Sequence, residues 1–354
     1  MRRGGRTVTL LFAVCFGACT PETGPRLIVT SGFTDEVILL DPTDGRITRR
    51  IALDPRPGER DEPHGVDVSR DGRFWVATAS HGDPSLSMYE SDGDRLVGRL
   101  ALGLPGAGRP GLSPDGRFAV VPDYWLGGSG QTSGAVVVRL DDMSVTARLS
   151  LCPAPHQAAF SPDGRWIALP CPLSDEVLLL EGTSYEVRHR VRLGPQPGEA
   201  GEPQTRPGNP LTRPMNVTWA PDSQRLWVTL MRQGAVAAID TTGVEIGRGG
   251  TPRGPTQIAV TPDGRRLVVP AREDFVVAVL DANSLETLNL VVLPDGPHPH
   301  GVALSPDGST AYVTNEGSTR SRGGVTAIRL DDGEVLWRTE VGVFTLGIAW
   351  RPEP

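Results

Sequence analysis

The feature that most limits how this chain can fold is a four-residue turn that returns along its length. The copies are Ser69-Arg70-Asp71-Gly72, Ser113-Pro114-Asp115-Gly116, Ser161-Pro162-Asp163-Gly164, Ala220-Pro221-Asp222-Ser223, Thr261-Pro262-Asp263-Gly264 and Ser305-Pro306-Asp307-Gly308. They stand 44, 48, 59, 41 and 44 residues apart, the period of a four-stranded propeller blade. Pro and Asp preset a turn and Gly accepts the positive φ after it, so each copy is a tight link between two strands. A short apolar run such as Gly301-Val302-Ala303-Leu304 precedes each turn. Another follows with Thr or Pro at a fixed place, over Phe74 to Thr78, Phe118 to Pro122, Trp166 to Pro170, Arg225 to Thr229, Arg266 to Pro270 and Thr310 to Thr314. Third and fourth strands follow, as over Val276 to Asp281 and Leu288 to Leu293.

The two ends of the repeat region complete each other. Arg26-Leu27-Ile28-Val29-Thr30 reads as a second strand with no first strand before it, and Gly347-Ile348-Ala349-Trp350-Arg351-Pro352 as a first strand with no second after it. Joined, they make one blade, which predicts an all-β, seven-bladed propeller with four antiparallel strands per blade. Pairing the C-terminal strand with the N-terminal strands closes the ring and removes exposed sheet edges. The 43 Gly and 33 Pro are spread among alternating apolar segments, which argues against a disordered or collagen-like chain.

Phrases such as Ala311-Tyr312-Val313-Thr314-Asn315, Thr261-Pro262-Asp263-Gly264-Arg265 and Val236-Ala237-Ala238-Ile239-Asp240 resemble the YVTN-type β-propeller repeats of extracytoplasmic bacterial proteins. The resemblance covers essentially everything after Pro25. It implies the fold and leaves function open, because similar propellers include lactonase-like enzymes, haem or copper redox enzymes and quinone-cofactor dehydrogenase subunits.

Residues 1–18 read as a secretory signal: Arg2, Arg3 and Arg6, then an apolar stretch from Val8 to Phe16, too short to span a bilayer as a mature helix. Phe16-Gly17-Ala18-Cys19 resembles a bacterial lipobox, in which small residues precede a Cys that is lipidated and becomes the mature N-terminus. Phe16 stands where Leu is usual, and cleavage near residue 20 with release of a soluble protein is the other reading. Residues 19–25 then form a polar linker and 26–354 the propeller. The expected address is the periplasm or cell surface, with membrane contact through the lipid anchor alone.

In a propeller, the loops between strands four and one and between strands two and three emerge on the face opposite the Asp-Gly turns. Of the six His, His64, His81, His156, His298 and His300 map to that face, and His189 to an outer strand. Five residues before each turn stand His64, Gly108, His156, Met215, Thr256 and His300, with Leu346 in the split blade. Three His and a Met thus occupy equivalent places at the mouth of the central channel. His and Met are copper-type ligands, and this ring resembles the inward-facing His of nitrous oxide reductase, with far fewer His. Structural His bonded to neighbouring blades is the competing reading. Glu62, Asp83, Asp123, Tyr124, Trp125, Arg213, Asn216, Arg232, Arg272, Glu273, Asp274, Asn315 and Glu316 share the face, a mixed rim suited to an anionic small ligand or a protein partner. The loops Gly194 to Arg213 and Tyr124 to Ala135 are the longest.

Beyond the leader and Cys19, Cys152 and Cys171 are the only cysteines. Folding their hairpin about Asp163 brings residue 155 opposite Cys171, so outside the cytoplasm a disulfide is the default. The alternative is a free thiolate joining His156 in a metal site. There is no Gly-x-Ser-x-Gly, no phosphate-binding glycine loop, no Cys-x-x-Cys-His and no His-Glu-x-x-His. All 35 basic residues are Arg, which excludes lysine Schiff-base chemistry. The net charge of −7, more negative once the leader is lost, makes nucleic acid an unfit partner. The Asp of each turn is read as structural. The chain is therefore expected to be an exported, membrane-tethered binding module for a cell-envelope protein or small molecule on its His-bearing face. The alternative is an enzyme of lactonase or copper-dependent oxidoreductase type using the same residues.

Overall fold

The computed structural model describes residues 24–53, 58–125, 133–194, 210–293, 296–318 and 321–353. The leader, Cys19 and most of the two long loops lie outside the described residues. Seven four-stranded antiparallel sheets form the blades of a propeller. Six follow the chain in order, and the remaining one sets Thr345–Arg351 inside Arg26–Ser31, Glu36–Leu40 and Ile47–Ala52. At that seam Ile28 pairs with Ala349 and Val29 with Ile348. We number this closing blade first and the others in chain order.

Strand composition follows position in the blade. The third strands are apolar on both sides, as in Val276–Asp281, because each sheet is covered by a blade on either face. The outer strands alternate, as in Val187–Arg192, where Arg188, Arg190 and Arg192 face water. The core is accordingly divided into seven clusters among the described residues. Each lies between neighbouring blades: Leu27, Val29, Ile38 and Leu40 of the first pack on Tyr312, Val325 and Ala327 of the last. No blade buries its apolar surface without both neighbours, so closing the ring completes the core.

The recurring turns consume their own polar groups. Ser69 Oγ donates to Asp71 Oδ1 at 2.7 Å, the same oxygen accepts from the Arg73 amide at 3.1 Å, and the Phe74 amide donates to Ser69 Oγ at 3.1 Å. Asp115, Asp163, Asp263 and Asp307 repeat the arrangement. These carboxylates hold turns.

A second device depends on whether the second strand carries Thr or Pro. Thr30, Thr78, Thr229 and Thr314 each accept an amide hydrogen from the inner strand of their own blade, from Gly347, Gly65, Asn216 and Gly301. Each donates to a carbonyl of the next blade, at His64, Gly108, Thr256 and Leu346. Where Pro stands instead, its carbonyl accepts the amide of Gly108, His156 or Thr256. The inner strands there shrink to two residues, against six or seven in the Thr blades. Gly accompanies Thr in three blades because the next blade approaches closely. A Cβ at Gly65 would sit 2.6 Å from the Arg109 Cα, and one at Gly347 2.6 Å from the His64 carbonyl oxygen.

Cys152 and Cys171 are joined in a disulfide, Cα atoms 6.1 Å apart. The hairpin is centred half a step beyond Asp163: Ala159 pairs with Ala168, so residue 156 rather than 155 is level with Cys171. The sulfurs are bonded to each other, and neither is a thiolate available to a metal beside His156.

Gly301→Ala places a methyl against the Leu346 carbonyl and 2.7 Å from Thr314 Oγ1, whereas a Cβ at Gly250 meets nothing within 4 Å. Denaturant melts are expected to show a loss of about 1–3 kcal/mol for the first substitution and none for Gly250→Ala.

Candidate functional site

Six of the seven equivalent residues at the channel mouth, His64, His156, Met215, Thr256, His300 and Leu346, line one cavity of about 390 Å³. Gly108 is missing from the wall because Tyr124 covers it; a Cβ there would meet the Tyr124 Cβ at 3.2 Å. Further wall residues come from two other repeated positions. Two residues after the fixed Thr or Pro stand Ser80, Tyr124, Met231, Arg272 and Glu316, and two residues before the ring stand Glu62, Arg213 and Phe344.

The position before the ring is conformationally unusual. Glu62, Ala154, Arg213, Gly254, His298 and Phe344 have φ of 50, 48, 54, 71, 56 and 60°. For a residue with a Cβ, the left-handed region costs about 1–2 kcal/mol. Preceding-strand turns hold three of these loops in equivalent ways. Asp35 Oδ1 accepts from the amides of Asp61 and Glu62 at 3.1 and 3.0 Å. Asp175 accepts from the amides of Leu211, Thr212 and Arg213 at 2.7, 2.9 and 2.9 Å and from the Thr212 hydroxyl at 2.7 Å. Phe275 packs on the His298 ring at 5.0 Å.

His64 and His156 meet Nε2 to Nε2 at 3.4 Å, and Tyr124 packs edge-on against His156 at 4.4 Å. The Nδ1 of His156 lies 2.9 Å from the Met215 carbonyl, which only accepts, so Nδ1 carries the proton. The Nε2 of His156 is then a lone pair, and His64 Nε2–H donates to it. Burial lowers the His64 pKa to about 3, helped by His300, His81 and Arg109. Burial also lowers His156 well below its ordinary value, with His64 and His300 adding to the effect. His300 is lowered mainly by burial, against the pull of Glu316. All three imidazoles are neutral at neutral pH.

The remaining charges are largely paired. Arg272 and Glu316 form a bidentate bridge with both contacts at 2.7 Å, and Glu62 faces His81 at 3.4 Å. Burial raises the Glu62 pKa, with His81 and Arg60 opposing. Burial also raises Tyr124, against a hydrogen bond and positive charge from Arg213. One residue along the inner strands from the ring, a polar layer floors the cavity. Arg109 Nη1 donates across the channel to Gln257 Oε1 at 3.0 Å, and Gln157 Oε1 accepts from the Val217 amide at 2.9 Å. Asp67 accepts from the Leu112 amide at 2.9 Å and attracts Arg109. Beneath lies a separate opening of about 460 Å³ toward the Asp-Gly turns.

Of the residues singled out from sequence, the cavity brings together Glu62, His64, His81, His156, His300, Met215, Tyr124, Trp125, Arg213, Asn216, Arg272 and Glu316. Others do other work, Asp274 in a bridge to Arg253 among them. Asn315 is fully buried, donating to the Gly296 carbonyl and accepting from Thr326. Asp123 accepts from the Gly106 amide at 3.3 Å, and His298 leans on Phe275 with Nδ1 3.4 Å from the Arg272 carbonyl. Sequence reasoning missed Ser80, Met231, Phe344 and the Arg109 floor. Ser80, Met231 and Phe344 share their fixed offsets with Tyr124, Arg272, Glu316, Glu62 and Arg213, and Arg109 stands one residue past Gly108 of the ring, so the repeat itself carries their signal. Among the described residues no group of three or more His, Cys, Asp or Glu side chains is arranged to hold a metal ion.

Compared with known proteins, the chain matches no family model and no curated protein sequence. Its fold does match solved structures. A periplasmic gluconolactonase of Pseudomonas aeruginosa aligns with TM-score 0.70 and 20% identity, over 93% of this chain and 100% of that one. A protein of unknown function from Desulfotomaculum acetoxidans aligns with TM-score 0.72 and 16% identity, over 93% and 99%. A dihydro-heme d1 dehydrogenase aligns with TM-score 0.60 and 14% identity, over 91% and 74%. The class shared is the β-propeller, and this chain is a seven-bladed member of it.

Unfolded, His64 binds a proton below about 6.5, whereas folded it does so only near 3. Between those values the unfolded chain carries the extra proton, so stability rises with pH and falls on acidification. The melting temperature of His64→Gln is expected to fall less steeply than that of the wild type from pH 6.5 to 4, measured by calorimetry.

Proposed function

We propose that the protein is an exported propeller whose His-bearing face binds a small molecule in the cavity around His64, His156 and His300. The observation that carries this reading is the cavity itself: about 390 Å³, the scale of a small-molecule site. Tyr124, Trp125, Phe344, Met215 and Met231 give it apolar surface among the polar groups of His64, His156, His300, Arg213 and Asn216, with a polar layer beneath. A protein partner would instead call for a broad exposed apolar centre.

A lipid anchor at Cys19 fits this geometry. The first strand starts at Arg26, opposite Arg351, and Pro352 packs on Gly72 of a turn, so the tether enters at the turn face. Anchored there, the cavity mouth points away from the membrane. Cys19→Ser is expected to move the protein from the membrane fraction to the soluble one on fractionation.

Hydrolysis of a lactone is the second reading, supported by the hydrogen-bonded chain from His64 through His156 to the Met215 carbonyl and by the gluconolactonase of like fold. A base works best with a pKa near the working pH, and His64 sits near 3. That weak basicity favours binding over catalysis. Among the described residues no three His, Cys, Asp or Glu side chains are arranged to hold a metal ion, and no redox step is assigned.

Ligand binding is tested by a thermal-shift and fluorescence screen of small molecules, with Trp125 at the rim as reporter. Saturable binding weakened about tenfold or more in Tyr124→Ala supports the reading, a buried aromatic contact being worth that much. Crosslinking to one envelope protein without any small-molecule binding would replace it. Titrimetric hydrolysis of five- and six-membered sugar lactones, lost in His64→Gln and flat from pH 4 to 8, would promote the second reading.

A further inference from the structure

We propose that Arg213 takes the carboxylate of a small organic monoanion, seated beside Tyr124 and Asn216 in the cavity; this rests on the cavity being a ligand site. The charges in the wall single Arg213 out. Arg272 is neutralised by its two bonds to Glu316, and Arg109 lies in the floor beside Asp67. The three imidazoles contribute no charge at neutral pH. The Arg213 guanidinium has the Tyr124 hydroxyl as a neighbour and no carboxylate bonded to it among the described residues. Its Nε is buried without a hydrogen-bond acceptor, a vacancy that a folded protein rarely leaves.

The loop is built to present this side chain. Arg213 holds a left-handed φ of 54°, and the buried carboxylate of Asp175 accepts four hydrogen bonds from the three residues ending at Arg213. A second unmet atom lies on the same wall: Asn216 Oδ1 is buried without a donor, while its Nδ2 is spent on the Thr256 carbonyl at 3.2 Å. A carboxylate accepting from Arg213, with a hydroxyl or amine nearby to donate to Asn216 Oδ1, satisfies both. Glu62, the remaining carboxylate of the wall, faces His81 and the Arg60 charge, so the Arg213 guanidinium is left to match one negative charge. A phosphate dianion would bring an uncompensated charge into a partly desolvated site, which is costly.

The test is saturation-transfer NMR on the full-length protein in mild detergent. The probes are paired acids and primary amides (lactate and lactamide, gluconate and gluconamide, benzoate and benzamide), with inorganic phosphate alongside. At least one acid is expected to bind about tenfold or more tightly than its amide, the scale of a charge-assisted hydrogen bond. Arg213→Gln should erase that preference, and Arg213→Lys should retain part of it. Amides binding as well as acids, an unchanged preference in Arg213→Gln, or phosphate outcompeting every acid would overturn the proposal. In the first of these outcomes, neutral probes displaced by Tyr124→Ala leave the cavity standing as a ligand site. Absence of binding by acids and amides alike overturns the proposal, and the separate screen with Trp125 decides the fate of the site itself.

Discussion

Everything in this molecule depends on the pairing of Thr345–Arg351 with Arg26–Ser31. A propeller blade is apolar on both faces, so each of the seven core clusters needs two blades to exist. Opening the ring at this seam would expose the first blade's Leu27 and Val29 and the last blade's Tyr312 and Val325 together. Thr30 reinforces the join from within, bonding the Gly347 amide on one side and the His64 carbonyl on the other. The strand exchange therefore does more than tie two ends. It fixes the radius at which the inner strands face one another, and so the size of the channel.

The site is a consequence of that radius. Inner strands packed close enough for Gly65 to touch Arg109 bring His64 and His156, two blades apart, within 3.4 Å. Enclosure at that distance makes charge expensive, which is why the imidazoles stay neutral. The same enclosure lets one polar layer, Arg109 with Gln157 and Gln257, separate the upper cavity from the lower opening. Three inner strands are short where the second strand carries Pro, and the segments leading into them hold Arg109, Gln157 and Gln257 just past the ring. Where Thr takes the place of Pro, the matching residue is Gly or Asn. Local backbone choice and channel chemistry are thus coupled at each blade.

The rim uses strain in an ordered way. Left-handed residues stand at the same point in six blades, and the side chains there differ: Glu62, Arg213, His298 and Phe344. The turn of the preceding blade supplies the support, through Asp35, Asp175 or Phe275. A common scaffold so presents a different group at each blade.

The architecture was readable because its causes are local and repeated: a Pro-Asp-Gly turn, an apolar strand, a fixed Thr or Pro, and two half-blades that need each other. Periodicity also carried His64, His156, Met215 and His300 to the channel, since position within a repeat sets which way a residue faces. What periodicity leaves open is which side chains meet across the axis. His64 and His156 are 92 residues apart and belong to different blades, so their contact depends on ring radius and on Tyr124 filling the space above Gly108. Asn315 and Asp123 show the converse: polar residues at rim positions that loop packing turned inward to bond backbone. Strand order and facing come from the chain's own pattern, whereas the pairing of charges, the neutrality of the histidines and the isolation of Arg213 arise only when seven blades enclose a common space and exclude water from it.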